Sequence, residues 1–202
     1  MGRAKLLKLV FAAAALVAVP VAAQSFSEGY TFLKAVRERD AATVDRILSN
    51  PSSTAINVRD PGTGEGALHI LVRSRDSTWL SFMLARNARP DTGDREGNTP
   101  LIIAAQLGWV DGADTLLTRR ANPNLANSRG ETPLMFAVQR RDMPMVRLLL
   151  QHNADPNQTD HVSGNSAIDY ARQDNRAAAI LRVLEGTRRP SGTELRGPSP
   201  RQ

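Results

Sequence analysis

Asp94-Arg95-Glu96-Gly97-Asn98-Thr99-Pro100-Leu101-Ile102-Ile103-Ala104-Ala105 decides the fold, because the chain writes this stretch more than once. Gly97 follows Gly64 by 33 residues and precedes Gly130 by 33, and Gly164 comes 34 later. Each opens a related segment: GEGALHILV, GNTPLIIAA, GETPLMFAV and GNSAIDYAR. A fixed period of this size marks stacked repeats rather than an enzyme core. One such unit cannot bury its own apolar face, so units must stack, and the stack offers a long surface.

Within the quoted stretch Thr99 is placed to cap a helix, with Pro100 at its first position, where no amide donor is missed. Thr132-Pro133 repeats the device. Ala104, Ala105 and Ala137 keep that helix slim enough for close packing, and Gly108 suits a left-handed helix end. Arg39, Arg75, Arg141 and Asn175 stand at the place equivalent to Gly108. A second helix follows in each unit. RDMPMVRLLLQHNADPN aligns with RDSTWLSFMLARNARPD and GWVDGADTLLTRRANPN. Its inner seam is Met83-Leu84, Leu116-Leu117 and Leu149-Leu150, with Leu80, Ala113 and Val146 at helical spacing before them. Asp40, Asp76 and Asp142 are placed to cap these second helices, and Asn87 and Asn153 to end them. Trp109 takes the capping place in the remaining unit and has two readings, a surface anchor or a core side chain.

Two atypical units close the ends. TFLKAVRERDAATVDRIL, from Thr31, lacks Thr-Pro, and AIDYARQDNRAAAILRVL, from Ala167, carries Arg172 and Arg182 where inner units are apolar. End units must be apolar on one side and wet on the other. The units fall near 28–60, 61–93, 94–126, 127–160 and 161–186. Together, Asp94 to Leu101 and the turn Asn153-Ala154-Asp155-Pro156-Asn157 resemble the ankyrin repeat, whose pattern is D-x-x-G-x-T-P-L-H-x-A-A-x-x-G, a V-x-x-L-L helix and a G-A-D-x-N turn. Only His69 keeps the motif histidine; Ile102, Met135 and Asp169 replace it, which weakens any regular hydrogen-bond ladder. The resemblance spans roughly Ser27 to Gly186. It implies an all-α repeat fold, an ankyrin-type solenoid of helix-turn-helix units joined by β-hairpin-like fingers. The chain is identified as similar to bacterial, exported members with about five repeats, and it is expected to need no cofactor and to be monomeric.

Residues 1–23 read as a signal peptide, with Arg3, Lys5 and Lys8 before an apolar run ending at Pro20 and small residues Val21-Ala22-Ala23 for cleavage. The uninterrupted run from Leu9 to Val19 is 11 residues, against the ~20 a bilayer needs, so no transmembrane segment is expected after cleavage. The expected compartment is the periplasm or the exterior. Residues 187–202 have three prolines and no apolar periodicity, which reads as a disordered basic tail. The net charge is +6, and the leader and tail account for all of it. Residues 24–186 are therefore balanced, without the basic stripe that nucleic acid requires. With no cysteine, the exported stack is held by its core alone.

The sequence carries no catalytic constellation. No G-x-S-x-G elbow occurs, and Gly62-Thr63-Gly64-Glu65-Gly66 lacks the Lys of a phosphate loop and aligns with a finger. His152 and His161, with Asp155 and Asp160 between them, have no i,i+4 pairing on one helix, so no metal ligand is assigned. The function that the resemblance implies is a non-catalytic, exported interaction scaffold, binding a partner protein on its concave face. The alternatives are an inhibitor or immunity protein for a periplasmic enzyme, or a metal-dependent protein using His152 and His161. Mapped position by position, the concave face is expected to carry Arg73, Arg95, Glu96, Gln106, Leu107, Arg129, Gln139 and Arg140.

Overall fold

Local chemistry sets where the helices begin. A computed structural model of the protein describes residues 21–186, with side chains from residue 28. Of the expected leader at 1–23, residues 1–20 lie outside the described residues, and so does the expected tail at 187–202. Thr99 accepts from the Ile102 amide at 3.3 Å and starts α5 (Pro100–Leu107). Thr132 does the same for α7 (Pro133–Gln139), and Ser166 for α9 (Ala167–Gln173). Asp40, Asp76 and Asp142 each accept a backbone amide at 3.0 Å and start α2 (Ala41–Leu48), α4 (Ser77–Ala85) and α8 (Met143–Gln151). The remaining helices are α1 (Val21–Glu38), α3 (Ala67–Arg73), α6 (Val110–Thr118) and α10 (Ala178–Gly186). Short 3-10 turns cover Ala55–Asn57 and Asn175–Ala177.

These ten helices form five pairs, and the pairs stack. Helices α1, α3, α5, α7 and α9 make one layer, packed closely across small residues such as Ala35, Ala104, Ala105, Ala137 and Ala171. Helices α4, α6, α8 and α10 make a second, looser layer. Closer packing on one side bends a stack toward that side. Apart from α1, every helix has 7 to 9 residues, too short to be stable alone. The expected seam is the core: Leu80, Met83, Ala113, Leu116, Val146 and Leu149 are fully buried. Leu150 is only half-buried. Among the described residues no helix is long and apolar enough to cross a membrane.

One expectation is corrected, at Asn175. The first helix begins at Val21, ahead of the repeated pattern that starts at Thr31, and runs through Gly29. Val21-Ala22-Ala23 thus form its first residues. Asn175 does not share the left-handed place of Gly108. The chain instead leaves α9 extended at Asp174, whose carboxylate accepts from the Arg176 amide at 2.9 Å and starts a 3-10 turn.

At the other units that place is left-handed, with φ of 60° at Arg39, 52° at Arg75, 66° at Gly108 and 57° at Arg141. A side chain there costs roughly 1–2 kcal/mol. Each arginine offsets this by reaching the following unit. Arg39 donates to Asp76 at 2.6 Å and to Ser74 at 2.7 Å. Arg75 donates to the Leu107 carbonyl at 2.7 Å, and Arg141 to Asp174 at 3.0 Å. At Gly108 the space is filled from the next unit, since a Cβ would stand 2.9 Å from Arg140 Nη2. Asn87 and Asn153 are left-handed as expected, and so is Arg120.

Trp109 is a core side chain, 8% exposed, and caps nothing. The chain gives up a helix cap there and buries an indole. Gly112, one turn on, makes the room: a Cβ would lie 2.0 Å from the indole Cε3. Gly112→Ala should therefore destabilise the protein by about 1–3 kcal/mol in urea melts, although alanine in an open helix would gain about 1 kcal/mol over glycine. In a Trp109→Ala background the same change should be neutral or stabilising.

Candidate functional site

Four fingers project between the helix pairs, at residues 60–65, 94–98, 127–131 and 160–165. In each the leading amide donates to the carbonyl that ends the finger: Asp60 N–H to Glu65 O at 2.8 Å, Asp94 to Asn98 at 3.0 Å, Asn127 to Glu131 at 3.0 Å and Asp160 to Asn165 at 3.0 Å. The leading Asp or Asn side chain accepts two amides from its own turn, as Asp94 does from Glu96 and Asn98 at 2.9 Å. The glycine-rich stretch from Gly62 is one of these fingers. Hydrogen-bonded closure makes them hairpin-like, yet among the described residues only an isolated bridge, Thr159 to Ser166, has strand geometry.

Successive fingers are bonded to one another. Arg95 N–H donates to Thr63 O at 3.1 Å, Ser128 to Glu96 at 2.9 Å and His161 to Arg129 at 2.8 Å. A buried side-chain network runs beneath them. His69 Nδ1 accepts the Gly66 amide at 3.1 Å, which leaves the proton on Nε2 to donate to Asn98 O at 3.0 Å in the next unit. Asn127 Nδ2 then donates to Asn98 Oδ1 at 3.1 Å and to Glu131 at 2.9 Å. So the missing motif histidines do not break the link between units, because Asn98 and Asn127 carry it. At those helix starts Met135 Sδ accepts the Thr132 amide at 3.4 Å, and Asp169 accepts that of Ser166 at 3.0 Å. Asp160 is buried in the last finger. Burial alone would raise its carboxyl, but Ser163, Tyr170 and the amides of Ser163 and Val162 donate to it and hold it well below the usual carboxylate range.

The side chains expected on the partner-facing surface sit on the fingers and at the ends of the first helices. Arg73 ends α3, Gln106 and Leu107 end α5, Gln139 ends α7 and Arg140 follows it. Arg73, Arg95, Glu96, Arg129, Gln139 and Arg140 are exposed, while Gln106 and Leu107 are half-buried. Several are already engaged. Arg73 pairs with Glu65 at 2.6 Å and reaches within 4.0 Å of Asp94. Arg129 pairs with Glu131 at 2.7 Å, Glu96 accepts from Asn98 at 3.1 Å, and Arg95 donates to the Pro61 carbonyl. Carboxylates thus alternate with the arginines, and the surface is charge-balanced. Asn98, Asn127, Asp160 and Tyr170, which hold the fingers, carry no local sequence signature: Asn98 and Asn127 lie 29 residues apart.

The two histidines considered as metal ligands serve separate places. His152 ends α8, and the His161 ring covers Gly130, where a Cβ would stand 2.7 Å from its Cδ2. Among the described residues no group of three or more His, Asp or Glu is arranged to hold a metal ion.

Two family models match the chain. One described as ankyrin repeats (3 copies) covers residues 32–127, and one described as ankyrin repeats (many copies) covers residues 116–171. Oxysterol-binding protein homolog 1 of Saccharomyces cerevisiae is 33% identical over 85 residues. That match takes in 41% of this chain and spans 7% of the yeast protein.

Burial disfavours the imidazolium of His69 and lowers it from its ordinary value of 6.5, with the Asn98 carbonyl and the Asp94 and Glu65 charges opposing in part. Its contribution to stability is complete above that value and is lost as the pH falls toward the lower folded value. Thermal midpoints should therefore drop as the pH falls below 6.5. His69→Met, which copies the residue found at 135, should flatten that slope.

Proposed function

The chain belongs to the ankyrin repeat family, and on that premise we propose that it is a non-catalytic scaffold binding a partner protein on the face made by the fingers and the first-helix ends. Ankyrin repeats are generally protein-interaction modules. The observation that carries the proposal is the finger ladder. It fixes the exposed side chains of Arg95, Glu96 and Arg129 at backbone-bonded spacing, so a partner meets a preorganised surface. The half-buried Leu107 supplies an apolar spot between the exposed Gln139, Arg140 and Arg73. A charge-balanced surface of this kind fits a partner segment of mixed charge, with the guanidinium groups of Arg95 and Arg140 as its strongest contacts.

Arg95→Glu combined with Arg140→Glu should abolish capture of the partner from an extract of the producing cells. It should leave the thermal midpoint within about 4 °C, since surface substitutions rarely exceed 0.5 kcal/mol. Reversals at the exposed Asp114 and Arg147, on the second helices, should affect neither property. Capture that survives the first pair and fails with the second would move the site to the other layer.

The reading also includes export. The basic, apolar and small-residue parts of residues 1–23 support removal of a leader after Ala23. Mass spectrometry of protein recovered from outside the cytoplasm should find Gln24 at its N-terminus. A full-length product confined to the cytoplasm would refute export while leaving the binding face untouched.

A further inference from the structure

The turns after the second helices carry unbalanced charge, unlike the fingers. Arg89, Arg119 and Arg120 line one open depression of about 400 Å³ at the C-terminal ends of α4 and α6. Its floor includes Leu84 and Ala88, both buried. All three arginines are exposed, and none takes part in an ion pair among the described residues. No described carboxylate lines the depression. Asp91, two residues after Arg89, accepts the Asn122 amide at 2.9 Å. One unit later the same places hold Asn122, His152 and Asn153, so the charge is gathered at this junction. Arg119 caps α6 as Arg86 caps α4, and a helix end favours a cation there. That does not account for Arg120. It is left-handed, with φ of 67°, in a place that Asn87 and Asn153 fill more easily. The left-handed Arg39, Arg75 and Arg141 each reach an acceptor in the following unit. The Arg120 amide donates to Leu117 O at 2.9 Å, but its guanidinium donates to no described group. A disfavoured backbone whose side chain gains nothing within the fold points to an acceptor outside it.

We propose that this depression docks an acidic segment of a protein partner. Carboxylates of the segment pair with the guanidinium groups, whose forked donors match them. An apolar side chain between the carboxylates lies over Leu84, Ala88 and Pro90. The depression is open and crosses the ends of two helices, which suits an extended chain better than an enclosed small molecule. No aromatic ring lines it, so a nucleic-acid base would find nothing to stack on. Its apolar floor is of no use to a bare phosphate. Three like charges around one depression repel one another until an anion joins them, so the segment also relieves the fold. This is a second docking surface, and it needs neither Arg95 nor Arg140 of the finger face.

An NMR titration of the full chain at low salt with an acetylated Glu-Glu-Leu-Glu peptide tests this. The amides of Asn87, Arg89, Arg119 and Arg120 should shift as the peptide binds. Arg119→Gln combined with Arg120→Asn should weaken binding about tenfold. Arg120→Asn alone copies the residue found at 87 and 153, so it should weaken binding without lowering the thermal midpoint. An affinity unmoved by the double change overturns the proposal. So does inorganic phosphate that binds the same amides as tightly as the peptide, since the site would then read phosphate. Arg95→Glu with Arg140→Glu should leave the peptide affinity unchanged. If the peptide is lost with that pair instead, the acidic segment belongs to the fingers and the second surface is refuted. Capture of the partner on the finger face is scored separately, so either surface can fail while the other stands.

Discussion

A pair of helices of seven to nine residues has two apolar faces and no interior. Every other feature follows from that. Leu116 and Leu149 are fully buried only because another pair lies against each of their faces. The first-helix layer can close up because alanine stands at its contacts, and the second-helix layer stays looser. The partner-facing surface is thus produced by packing at the back of the molecule. Its position depends on residues such as Ala104, Ala105 and Ala137 that no partner would touch.

Stacking brings polar groups inside as well as apolar ones. His69, Asn98, Asn127 and Asp160 are buried, and each is fully occupied by neighbouring donors and acceptors. Among the described residues no buried side-chain nitrogen or oxygen lacks a partner. A buried polar group left unpaired costs about 1–3 kcal/mol, so such networks specify one register. Here the register is that of the fingers. The network under the surface and the ion pairs upon it, Arg73 with Glu65 and Arg129 with Glu131, hold the same loops from two sides.

What was legible in the sequence was local. Thr99-Pro100, Thr132-Pro133 and the capping aspartates act within three residues of themselves, so the chain displays their meaning directly. The glycine period and the apolar seam were legible because repetition turns contacts between units into a spacing. What was not legible joins residues whose distance in sequence has no fixed meaning. Arg73 finds Glu65 within its own unit, and Asn127 finds Asn98 in the one before. These contacts set carboxylates among the arginines of the expected face and make it a charge-balanced surface. Trp109 was ambiguous for a related reason, since its burial rests on the empty side-chain position at Gly112. Asn175 was misplaced because the period carried on past the last inner unit, whereas the backbone at Asp174 turns extended and its carboxylate accepts from Arg141 and from the Arg176 amide.

The left-handed arginines bear on how such a chain tolerates rearrangement. Each junction is closed by a different fitting: a carboxylate and a hydroxyl for Arg39, a bare carbonyl for Arg75, an incoming guanidinium over Gly108, a second carboxylate for Arg141. The units share a fold but not a connector. A duplicated or transposed unit would present an arginine without its acceptor, or set a side chain against the guanidinium that now covers Gly108. The order of the units is thus written into their junctions, and the stack is a sentence rather than a string of interchangeable beads.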